Sequence, residues 1–98
     1  AVGPGLAAAP FNIPNVLAQP VLTLFTGSQP VAVNTGWNSA ANAPEIRATA
    51  LRVGALPLAE SSRDSALLVT LPAGAYTLQV SGQGGSSGVA LVEIYEVP

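Results

Sequence analysis

Ala66-Leu67-Leu68-Val69-Thr70-Leu71-Pro72-Ala73-Gly74-Ala75-Tyr76-Thr77-Leu78-Gln79-Val80-Ser81 is the stretch whose reading decides the fold. Two runs of strand-favouring residues flank a turn, in which Pro72 presets the first dihedral and Gly74 supplies the positive φ that closes a short hairpin. A third run, Val89-Ala90-Leu91-Val92-Glu93-Ile94-Tyr95, follows Gly82-Gln83-Gly84-Gly85-Ser86-Ser87-Gly88, which has no apolar anchor and reads as a surface loop. The expectation is a three-stranded antiparallel meander over 66–71, 76–81 and 89–95.

Working back from this meander, Val21-Leu22-Thr23-Leu24-Phe25-Thr26 reads as a strand, Gly27-Ser28-Gln29-Pro30 as a turn and Val31-Ala32-Val33 as the short partner strand. The polar loop Asn34-Thr35-Gly36-Trp37-Asn38-Ser39 then carries the only tryptophan. Two roles are open to Trp37: a core plug with its N–H on a carbonyl, or a stacking platform for sugar flanked by Asn34 and Asn38. Asn42-Ala43-Pro44-Glu45 reads as a helix start, with Asn42 as the cap, Pro44 where no amide partner is needed and Glu45 three residues after the cap. Ile46, Ala50 and Val53 fall on one helical face, Arg52 suits the last turn and Gly54 supplies the stop. The helix is expected at about 43–53. The fold class is therefore all-β, an antiparallel β-sandwich of Ig-like or jelly-roll-like form with this one short helix.

Residues 1–20 differ in kind. Pro4, Pro10, Pro14 and Pro20 fix φ and lack the backbone donor, so neither a central strand nor a continuous helix runs through them. An extended proline-rich arm is expected at 1–20, before a β-sandwich domain at 21–98. Its apolar members Leu6, Phe11, Ile13, Val16 and Leu17 need a surface. Either the arm packs along its own domain, or these residues form an assembly interface by entering a neighbouring subunit as an added strand.

Composition narrows the function classes. The 98 residues suit one domain, and the absence of cysteine removes disulfides and thiol chemistry. Charged residues make up 8% of the chain, against about a quarter in ordinary domains. A surface on the order of 5,000 Å² is then covered mostly by uncharged groups and is poorly protected against association. Three arginines, no lysine and a net charge of −2 argue against a nucleic-acid partner, which needs a cationic stripe. Mean hydropathy is positive at +0.47, yet no stretch approaches the roughly 20 apolar residues of a membrane span. Ala1-Val2-Gly3-Pro4 has neither the basic head nor the apolar core of a signal peptide, so a mature form or a piece of a longer chain is expected.

Catalytic chemistry finds little to work with. Histidine is absent, no Gly-x-Ser-x-Gly elbow occurs, and nothing stands ready to activate a serine. Glu45 reads as a helix-cap residue, Glu60 and Asp64 as solvated loop residues beside Arg63, and Glu93 and Glu96 as outward strand residues. With only Glu60 and Asp64 in loops, no calcium site is expected either, since Ca²⁺ takes six to eight oxygens. The chain is expected to be no enzyme and to carry no cofactor or metal.

The wording from Ala66 to Thr77, together with Val80-Ser81-Gly82 and Gly88-Val89-Ala90-Leu91-Val92-Glu93-Ile94-Tyr95-Glu96, resembles the end of a repeat module. This module occurs in tandem in large secreted and surface proteins of Gram-negative bacteria, the verrucomicrobial group among them. Ala1-Val2-Gly3-Pro4-Gly5-Leu6 and Ala18-Gln19-Pro20-Val21-Leu22-Thr23-Leu24-Phe25 match its pattern too, and the Leu-Pro-Ala-Gly-Ala-Tyr-Thr turn is more distantly similar to that of prepeptidase C-terminal domains. The resemblance implies an extracellular sandwich without a catalytic role. Such modules carry further strand sequence before the position of Ala1 and are often acidic after the position of Val33, where this chain reads Asn34-Thr35-Gly36-Trp37. The expected function is a structural subunit or repeat module of an extracellular filament, sheath or surface protein, a homo-oligomer or polymer built by strand addition and apolar contact. The alternative is a secreted module binding polysaccharide or another cell-surface ligand through Trp37, Asn34 and Asn38.

Overall fold

Pro20, Leu22 and Leu24 alternate with more exposed neighbours, and this period of two places them on one buried face of a strand. In the computed structural model, which describes residues 1–97, that strand is β1 (Pro20–Thr26), and it is central. It pairs antiparallel with β2 (Gln29–Asn34) on one side and with a last strand, β3 (Thr77–Gly82), on the other. Leu22 stands opposite Val80 and Leu24 opposite Leu78, so the inner face of the sheet is built from apolar cross-strand pairs. Thr77, Gln79 and Ser81 point to the opposite, wet face.

The first hairpin forms as its sequence predicts, with a tighter turn. Gly27 takes φ of 60°, so the reversal needs only Gly27 and Ser28, and Gln29 and Pro30 enter β2. Pro30 cannot donate to a ladder, and the register slips beside it: Leu24 faces Ala32, whereas Phe25 faces Pro30. Proline is tolerated there because β2 is an edge strand.

The expected meander does not form. Only its middle run becomes a strand, and that strand pairs with β1 instead of with its sequence neighbours. Residues 66–71 hold no strand, and 89–95 hold only isolated bridges, Val89 to Val16 and Leu91 to Val2. β3 keeps a free edge in the order β2-β1-β3, yet neither flanking run occupies it, and Val89 and Leu91 turn to the N-terminal segment. Among the described residues, the regular strands form one three-stranded antiparallel sheet.

Helix α1 (Ala43–Val53) occupies the predicted span and ends at Gly54 in the left-handed conformation, φ 73°. The cap mechanism differs from expectation. The Asn42 side chain makes no capping bond; its Nδ2 donates to the Leu68 carbonyl at 3.4 Å. Ala43 and Ile46 bury against Trp37, with Ala40, Leu58, Ala66 and Leu68 around them.

Residues 1–20 are not an extended arm. Pro4–Ala7 form a short 3-10 helix, and Asn12 and Asn15 adopt positive φ of 50° and 58°, which asparagine tolerates better than most residues. These turns fold the segment back onto its own chain. Val2, Leu6 and Leu17 are buried, and the Val2–Leu91 and Val16–Val89 bridges fasten it.

Candidate functional site

Trp37 is 1% exposed and donates from Nε1 to the Ala59 carbonyl at 2.9 Å. The ring is thus a core plug. Arg47 lies over it with its guanidinium carbon 5.4 Å from the ring centroid, and pairs with Glu60. That pairing holds the Arg47 guanidinium above its ordinary pKa, the Glu60 hydrogen bond being the larger cause. A ring so covered offers no face to a sugar. Asn34 is buried as well, donating to Gly36 O at 3.2 Å and accepting from the Ala66 amide at 3.0 Å, while Asn38 donates to the Glu60 carbonyl at 2.6 Å. The predicted ligand-contact trio is structural in its bonding.

The predicted assembly residues divide. Leu6 and Leu17 lie in the interior, at 3% and 4% exposure, so they are unavailable to a partner. Ile13 and Val16 are half-buried, and Phe11 is exposed. What buries the arm is a group that sequence reasoning placed in solvent: Asp64. Its Oδ1 accepts from the Gly3 amide at 2.8 Å and the Gly5 amide at 3.3 Å, and its Oδ2 accepts from the Ser62 hydroxyl. Ser65, fully buried, donates its hydroxyl to the Pro20 carbonyl. The signal was the Gly3-Pro4-Gly5 spacing, two closely spaced amides without side chains to shield them from a carboxylate. A β-carbon on Gly3 would meet the Leu17 carbonyl oxygen at 2.0 Å, so close packing depends on glycine there.

Elsewhere apolar side chains reach the surface. Val69, Leu71, Val89, Leu91, Val92, Ile94, Tyr95 and Val97 are 38–78% exposed, as are Val31 and Val33 on β2. A groove of about 490 Å³ runs between Val33-Asn34-Thr35 and residues 66–69, floored by the turn before α1 and lined by no ionisable side chain. Among the described residues, no backbone–backbone hydrogen bond involves residues 66–76. The chain exposes 6029 Å². A self-contained chain of 9.8 kDa is expected to expose about 5,200 Å².

Comparison with family models, curated proteins and solved structures finds no match to the chain. Site geometry therefore carries the functional argument. Among the described residues, no three acidic side chains lie together as a metal site, and Glu45, Glu60, Asp64 and Glu93 are engaged on separate elements or face water. No helix is long and apolar enough to cross a membrane.

Proposed function

We propose that this chain is a structural subunit or repeat module of an extracellular bacterial filament, sheath or surface protein, joined to its neighbours by strand addition and apolar contacts. The observation that carries the reading is the surface surplus of about 800 Å² over a closed chain of equal mass, close to what one partner loses in a standard interface. Exposed apolar side chains include Val69, Leu71, Val92 and Ile94 on segments that join no ladder. β2 is an edge strand without a charged residue, guarded by Pro30 and the register slip beside it. In the assembled state residues 66–71 and 89–95 become strands of a second layer, completing the sandwich. The extracellular setting rests on the resemblance of 66–77 and 88–96 to secreted repeat modules. Sedimentation velocity at rising concentration, with negative-stain microscopy, tests the reading. Concentration-dependent oligomers and fibres or arrays are expected, and a strict monomer at roughly millimolar concentration overturns it.

A further inference from the structure

The assembly reading leaves open which edge of the sheet meets a neighbour, and the two edges differ. β2 carries Pro30 and the register slip beside it, both of which interrupt a ladder. β3 pairs with β1 along its whole length with no slip, no proline and no ionisable side chain, and its other edge has no strand beside it.

The ladder shows which groups that free edge presents. The Gln83 amide donates to the Gln19 carbonyl at 3.0 Å and continues the β1–β3 register by one step, so these two residues are a hydrogen-bonded pair. Counting back by twos, Ser81, Gln79 and Thr77 turn their backbone toward β1, and Leu78 and Val80 turn theirs outward. Among the described residues, no backbone–backbone bond from another segment reaches Leu78 or Val80. Each holds out an N–H and a C=O.

A strand that completes this edge must be uncharged and must carry its apolar residues on the same face. β3 meets both terms itself. Turned about a two-fold axis through Gln79, it sets Leu78 opposite Val80 of a second copy on the inner face, and Thr77 opposite that copy's Ser81 on the exposed face. Gln79 then meets its own counterpart, and two side-chain amides can exchange donor and acceptor. A shift of one residue would put the apolar face against the polar one, and a shift of two toward Gly82 would set Leu78 against a glycine.

We propose that β3 pairs antiparallel with β3 of a second copy of this chain, in a register centred on Gln79, joining two three-stranded sheets into one continuous sheet. The inference rests on the structural-subunit reading and names its contact. Both copies contribute the same strand, so the contact closes as a two-fold pair, and that pair is the unit from which larger assembly proceeds.

Gln79 is exposed and lies on the axis, so substitutions there test the contact without entering the core. By sedimentation velocity the wild-type chain is expected to form dimers as concentration rises. Gln79→Glu and Gln79→Lys each bring like charges together and should raise the dimer dissociation constant about tenfold. An equimolar mixture of the two pairs opposite charges and should restore dimers. Crosslinking reads the register, since the chain contains no cysteine. Gln79→Cys should give a covalent dimer on mild oxidation, because facing β-carbons of a non-hydrogen-bonded pair lie near disulfide reach. Ser81→Cys should not, its counterpart lying about 14 Å along the strand. Charge variants that dimerise like wild type, or a mixture that stays monomeric where wild type dimerises, overturn the β3 contact and leave the structural-subunit reading standing. A covalent dimer from Ser81→Cys and none from Gln79→Cys overturns the register, and a wild-type chain that never assembles overturns both readings.

Discussion

Two regions of similar apolar content meet opposite fates in this molecule. Residues 1–6, 34–37 and 62–65 lock together through Asp64, Ser65 and Trp37, each 1% exposed or less. Residues 66–71 and 89–97, rich in Val, Leu and Ile, lie against the same body with many side chains only half covered and Ile94 78% exposed. The difference is polar satisfaction. No buried side-chain polar atom among the described residues lacks a partner, those of Asp64, Ser65 and Trp37 included. In residues 66–71 and 92–97 the amides have no ladder to join, so burying the apolar side chains there would strand polar backbone at a cost comparable to the gain.

Substitutions should break this contrast most severely on the closed side. Trp37→Ala removes the largest core side chain and its bond to Ala59, and should cost about 3–5 kcal/mol by urea denaturation; a loss below about 1 kcal/mol would sink its role as the plug. Asp64→Ala strands the Gly3 and Gly5 amides and should cost about 3 kcal/mol, with faster proteolysis within residues 1–20. Unchanged proteolysis would mean the carboxylate does not hold that segment. Gly3→Ala drives a methyl toward the Leu17 carbonyl and should cost about 2 kcal/mol, leaving the far-UV spectrum of the sheet intact. On the open side, Val33→Thr at 62% exposure should change monomer stability by no more than about 0.5 kcal/mol. A larger loss would show that β2 is better covered than its exposure implies.

Local chemistry made part of this legible. The hairpin of β1 and β2 follows from β-branched runs around Gly27, and α1 follows from Pro44, Glu45 and Gly54 at their proper offsets. The third strand was legible as a strand, although its partner was not, because pairing sequential runs assumes that no distant segment competes. Trp37 admitted two roles, and only its bond to Ala59 distinguishes them. Asp64 was misplaced for a related reason: beside Ser61, Ser62 and Arg63 its surroundings read as solvent, while its true partners lie about sixty positions away.

By itself the sequence determined what each stretch could become: a strand at 21–26, a helix at 43–53, a segment near the start too proline-rich for either, and a surface with little charge. The tertiary structure alone decided which backbone groups found partners. Peptide donors and acceptors are the same in every residue save proline, so propensity cannot rank their possible pairings. That ranking falls to long-range geometry, which gave β1 to β3, Asp64 to the amides of Gly3 and Gly5, and left residues 66–71 without a ladder.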